Sequence, residues 1–166
     1  MNIDEKENIL MNSLRKMDKI CHSLSTLQAN IFEKSVEKGI PSLFFIKSFM
    51  VSPLARELDD LNLESAGLTE IEIFEVVKSN IKIKRGKLIG YPIMRFLGYF
   101  YRSASYLYKL SSKFLYENIA PKMLIESYDS LHALPIEEAI KDVFDILKIN
   151  IESNEEIFIK LYKTNN

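Results

Sequence analysis

The most constraining feature of this chain is a spacing. Leu10, Leu14, Met17, Ile20, Leu24, Leu27 and Ile31 recur every three or four residues. That period gathers them into one stripe on a helix. It predicts a long helix from about Asp4 to Lys38, stopped by Gly39 and Pro41. The punctuation that follows is also helical. A short apolar helix is expected over 43–51. Ser52-Pro53 reads as an N-cap with proline in the first turn, opening a helix through Leu61. Thr69 with Glu72 forms a capping-box pair that opens a helix to about Lys78. Pro92 opens a helix to about Leu110, and Ser111 or Ser112 caps one through Glu117. Pro121 and Pro135 begin two more, ending near His132 and Lys148. Ser153 with Glu156 is a second capping box, for a last helix of residues 157–162. The alternation at 81–89 around Arg85-Gly86 allows one small β-hairpin. The expected fold is therefore all-α: a compact bundle of seven or eight helices in one domain spanning 1–166. Its composition, 47% hydrophobic and 27% charged with 5 Gly and 5 Pro, suits a packed core and no linker.

Charge is distributed unevenly within a net of -1. Residues 1–77 sum to -5, residues 78–116 to +9 with no acidic side chain, and residues 117–166 to -5. The basic block contains the helix after Pro92. Plotted at 100° per residue, Arg95, Tyr99, Arg102, Tyr106 and Lys109 fall within about 80° of one another, and Ile93, Leu97, Phe100, Ala104 and Leu107 fall opposite. One face reads as core and the other as an outward cation–aromatic stripe, which Lys84, Arg85, Lys87 and Lys113 extend. Three readings compete. Guanidinium, ammonium and phenol groups suit a polyanion such as nucleic acid. Tyr and Arg are also the residue types that anchor protein partners. In the third reading the chain's own acidic blocks fold against this helix, leaving the tyrosines half-buried with wet tips. A sequence pI near 6.2 argues against a dedicated DNA binder.

Chemistry-bearing residues are sparse. Cys21 and His22 are neighbours that diverge by about 100° on a helix, so they do not share a metal. Cys21 reads as a small buried hydrophobe. His132, at a helix end, reads as a donor to a free carbonyl. Asp59-Asp60 and Glu137-Glu138 read as solvated acids. There is no Gly-rich phosphate loop, no Ser-His-Asp set and no Glu-x-x-His pair. The expectation is a non-enzymatic chain with no cofactor and no metal. A single Cys, an acidic start without an apolar run, and no apolar stretch of about 18 residues point to the cytoplasm and away from a membrane.

One region carries a resemblance. Residues 106–147 contain Tyr108-Lys109, Lys113 with Tyr116, the run Tyr128-Asp129-Ser130-Leu131-His132, and Ile140 with Asp142 in an acid–hydrophobic repeat. This resembles a family of short helical bacterial proteins of unknown function encoded beside ADP-ribosyltransferase-like toxins. The match covers about a quarter of the chain. Ala133-Leu134-Pro135 stands where the family has a Thr-Gly-like turn, and some hundred further residues lie N-terminal to the match. The resemblance implies an antitoxin or accessory role in a toxin–antitoxin locus. Tyr128, Asp129, Leu131 and His132 would then be signature residues with structural roles.

Together these readings lead to a protein-interaction module. Its partner surface is expected at Lys84, Arg85, Arg95, Tyr99, Arg102, Tyr106, Lys109 and Lys113, and its partner to be a protein such as a toxin. The alternatives are a nucleic-acid-binding regulator using the same stripe and a phage or mobile-element inhibitor of a host protein. A homodimer is left open, because the long first helix pairs as readily across a two-fold as within one chain.

Overall fold

In the computed structural model, residues 15–61, 72, 74–75 and 85–149 are described. Among them the chain is all-α. Eight helices are bounded: α1 (Lys19–Glu37), α2 (Ser42–Met50), α3 (Pro53–Asp59), α4 (Tyr91–Tyr108), α5 (Ser112–Asn118), α6 (Pro121–Glu126), α7 (Tyr128–Leu131) and α8 (Ile136–Leu147). Residues 85–90 are irregular and form no strand, so this half of the expected hairpin is absent. Residues 81–84, most of the Thr69 helix and the Ser153 capping box lie outside the described residues, although Glu72, Phe74 and Glu75 are helical.

Local chemistry explains most boundaries. Ser52 accepts a hydrogen bond from the Ala55 N–H, with Pro53 in the first turn of α3. Ser111 accepts from the Phe114 N–H to open α5. Gly39, at φ +67°, follows the end of α1. The first helix starts later than its apolar spacing predicts. Residues 15–18 are not helical, because the Asp18 carboxylate caps the helix by accepting from the Cys21 N–H at 2.8 Å. The chain before it turns aside, and the Arg15 N–H bonds Leu107 O at 3.0 Å. The predicted stripe shifts with it. Ile20 is 52% exposed, while Cys21, Leu24, Ile31 and Phe32 are buried. Leu10 and Leu14 lie outside the described residues.

The architectural centre is the α1–α4 pair, the most extensive helix–helix contact. Their contacts run in antiparallel register, from Asp18 beside Tyr106 to Glu33 beside Arg95. Gly98 permits the close approach: a Cβ there would sit 2.7 Å from Gln28 O and 2.9 Å from the Ala29 Cα. One continuous apolar core surrounds the pair. On one side Phe32, Phe45, Phe49 and Phe74 pack edge-to-face and stacked at centroid distances of 5.2 to 6.2 Å. On the other, Leu97, Phe100, Ala104 and Leu107 of α4 meet a wall that includes Ile140, Val143 and Phe144 of α8.

Candidate interaction surface

The middle of the cation–aromatic stripe of α4, Arg102 and Tyr106, does not face solvent. It lies in the seam against α1, so this part of the helix is packed on both faces. Arg102 is 1% exposed and is the largest fully buried side chain among the described residues. Its Nε donates to Gln28 Oε1 at 2.8 Å, its Nη1 to Asp59 Oδ1 at 2.7 Å and its Nη2 to Ser112 Oγ at 3.0 Å. Asp59 in turn accepts from the Ser112 N–H at 2.8 Å and the Ser112 hydroxyl at 2.6 Å, and the Ser105 hydroxyl lies 3.1 Å away. One guanidinium and one carboxylate thus tie together α1, α3, α4 and the first turn of α5. The carboxylate sits where the N-terminal amide of α5 favours negative charge. Burial draws the Arg102 guanidinium below its ordinary value, and the Asp59 charge opposes that pull.

The remaining stripe residues grade outward. Tyr106 is buried and donates to Asp18 Oδ2 at 2.8 Å. Burial first, and the Asp18 carboxylate second, push its phenol up to about 12. The same bond, after the Cys21 N–H, holds the Asp18 carboxyl below its ordinary value. Arg15 stacks over the outer face of the Tyr106 ring, 4.9 Å from its centroid. Tyr99 is half-buried, with its hydroxyl 2.9 Å from His22 Nδ1. Arg95 is exposed and pairs with Asn30 and Glu33, the latter at 2.9 Å. Lys109 is exposed in a left-handed turn after α4, and Lys113 is exposed with Glu117 3.9 Å away. Arg85 is exposed, and Lys84 lies outside the described residues.

The outward face expected from the sequence is therefore corrected. Arg102 and Tyr106 are internal, and Tyr99 is engaged with α1. The reason is that α1 carries a complementary polar row of Asp18, His22, Ser25, Gln28, Asn30 and Glu33. Ser25, for example, meets Ser103 at 2.8 Å. Asp59 is corrected too: it is an internal acceptor, whereas Asp60, Glu137 and Glu138 are exposed as expected. No buried side-chain nitrogen or oxygen among the described residues lacks a hydrogen-bond partner. The seam is therefore a satisfied polar tether between α1 and α4 among the described residues.

Other residues behave as their local chemistry predicts. Cys21 is fully buried, and burial pushes its thiol up. His132 Nδ1 donates to Tyr128 O at 2.7 Å, and its ring stacks on Tyr128 at 4.4 Å. Tyr128 also meets Phe96 edge-on, Leu131 is buried, and Asp129 is exposed. Among the described residues no group of three His, Cys, Asp or Glu side chains could hold a metal ion, and no helix is long and apolar enough to cross a membrane.

What α4 offers to solvent is its N-terminal end. The strap 85–90 crosses the start of α2: Ser42 N–H donates to Lys87 O at 3.1 Å, and Ile89 N–H donates to Ser42 Oγ at 2.8 Å. Gly86 lies against Pro41 so closely that a Cβ there would come within 2.7 Å of the Pro41 Cβ. These contacts bring Leu43, Leu88 and Tyr91 to one end of the bundle, at 53%, 45% and 46% exposure. Arg85 and Lys87 are exposed beside them. Sequence reasoning missed the apolar members, since Leu43 and Leu88 carry no signal until the strap is laid over α2. A shallow groove of about 540 Å³ lies near the other end of α4, walled by Arg15, Lys16, Tyr108, Glu137, Glu138 and Lys141. Comparison of the chain with protein-family models, with curated proteins and with solved structures yields no match.

Proposed function

We propose that this chain is a non-enzymatic protein-interaction module whose partner seats on the end formed by α2, the 85–90 strap and the start of α4. The observation that supports this most is the convergence of Leu43, Leu88 and Tyr91, all exposed, beside Arg85 and Lys87. Exposed large apolar side chains grouped with cations on a clamped backbone are what a partner carrying an acidic rim and an apolar centre would cover. The hydrogen bonds of the strap to Ser42 support this reading, because they fix the backbone that presents these side chains. The resemblance at 106–147 adds an antitoxin-like role, in which the partner is a toxin held in a neutral complex. A polyanion reading loses support, since Arg102 and Tyr106, two of the five residues of the stripe, are buried.

The test is coexpression with the proteins encoded by the adjacent genes. The expected result is a stoichiometric complex with one of them, which is toxic when expressed alone. Arg85→Glu with Lys87→Glu should weaken the complex at least about tenfold, through loss of rim charge and gain of repulsion. Arg95→Glu should leave it nearly unchanged. A complex insensitive to the 85/87 pair would overturn the assigned surface, and neighbours that neither bind nor harm the cell would overturn the antitoxin role.

A further inference from the structure

The described residues expose seven large hydrophobic side chains: Ile20, Leu43, Val51, Leu88, Tyr91, Ile146 and Leu147. Five of them fall in two places. Three form the basic end described above. The other two close α8, where Ile146 is 68% and Leu147 37% exposed.

The surroundings of the second pair are opposite in charge. On α8, Ala139, Ile140, Val143 and Phe144 face the core. Glu138, Asp142 and Asp145 fall within about 60° of one another on the far side, with Ile146 about 40° beyond Asp142. All four are exposed, and Lys141 lies outside that arc, about 40° beyond Asp145. The molecule thus carries a basic patch with an apolar centre and an acidic patch with an apolar border.

The two cannot meet within one copy. Tyr91 begins α4, whereas α8 packs at its far end, where the Phe144 ring lies 4.7 Å from that of Tyr108. The intervening 18 residues of helix span about 27 Å.

We propose that the protein self-associates head to tail, the Arg85–Tyr91 end of one copy seating on the Asp142–Ile146 face of a second copy. Opposite charge sets the orientation, and the exposed side chains Leu88, Tyr91 and Ile146 supply the apolar contact. Each patch is built from few apolar side chains rimmed by exposed charges, so the association is weak and salt-sensitive. A heterologous contact of this kind closes into a ring or extends into a chain according to the rotation between copies. The inference shares its basic end with the proposed function and adds the α8 face, which that reading does not need.

Sedimentation velocity on the full chain tests it. At about 100 µM, a concentration that reveals micromolar to submillimolar association, the weight-average mass in low salt should rise above the monomer's 19.3 kDa and fall back in high salt. R85E/K87E alone and D142K/D145K alone should each sediment as monomers, with circular dichroism showing unchanged helix. Mixed in equal amounts they should associate again, because each then offers the charge the other has lost. A monomer mass at every concentration in low salt, or a mixture that fails to associate, overturns the proposal. The two readings separate cleanly: D142K/D145K should abolish self-association and leave a neighbour-encoded partner bound.

Discussion

Arg95 and Arg102 stand two turns apart on the same stripe of the same helix, each with a carboxylate within 3 Å, yet they do different work. The Arg95–Glu33 pair is 45% and 35% exposed, and water screens it. The Arg102–Asp59 pair is 1% and 11% exposed. There a charge removed from water is retained only because every nitrogen of the guanidinium has an acceptor and the carboxylate is itself surrounded by donors. A surface pair of the first kind contributes about 0–1 kcal/mol. Breaking one partner of the second kind costs about 3–5 kcal/mol, because the other charge is left buried and alone. The same residue type at the same helical phase is thus decoration in one place and framework in the other. What separates them is the element that lies across the seam.

The largest test of that contrast is Arg102→Ala. It strands Asp59, Gln28 and Ser112 and should lower unfolding free energy by about 3–5 kcal/mol, a large part of the total stability of a domain this size. Urea unfolding followed by circular dichroism measures it. Gly98→Ala comes next. Its methyl group meets α1 backbone, which cannot rotate away as a side chain would, so the helices must separate at a cost of about 1–3 kcal/mol. A Gly98→Ala protein of unchanged stability would mean that α1 and α4 are not in close contact.

Tyr106→Phe is smaller, about 1 kcal/mol at neutral pH for the lost bond to Asp18, and it reshapes the pH profile. In the folded chain Tyr106 keeps its proton up to about 12, whereas the unfolded chain releases it near 10. Its contribution is therefore complete below pH 10 and is lost as pH rises from 10 toward 12. Asp18 runs the other way. Its folded value is lowered, so its contribution is complete above the ordinary value of 3.8 and is lost as pH falls through the folded value. Tyr106→Phe should accordingly soften both limbs of stability against pH. Tyr99, Tyr101 and Tyr108, all raised by burial, keep the alkaline limb from vanishing. The smallest effect is Arg95→Ala, within about 0.5 kcal/mol, measured by the same unfolding curves.

The contrast also explains what could be read from the chain before folding. Ser52-Pro53, Ser111 and Pro121 announce their helices because capping is local: hydroxyl, amide and ring lie within three residues of one another. The opposite phases of Arg95 and Leu97 could be read for the same reason. The direction of the stripe could not, since exposure depends on α1, some 75 residues earlier. The sign that α1 would cover it, a polar row from Asp18 through Gln28 to Glu33, is diluted among apolar neighbours. Gly98 was a second sign, since a glycine amid Leu97 and Tyr99 is where two backbones can touch. Asp59 was hidden for a similar reason. Beside Asp60 it looks like half of a solvated pair, and only the fold shows that one of the two turns inward. The basic-apolar end was half legible: Arg85 and Lys87 were singled out, and Leu43 was not.

Paired double-mutant cycles measure the central claim most directly, one on Arg102 and Asp59 and one on Arg95 and Glu33, each with Ala replacements and urea unfolding. The account predicts a coupling of roughly 2–3 kcal/mol for the inner pair, in the upper range for residues sharing one buried network, and less than about 0.5 kcal/mol for the outer pair. Equal and small couplings would contradict it, since they would mean that Arg102 is solvated and the stripe faces outward.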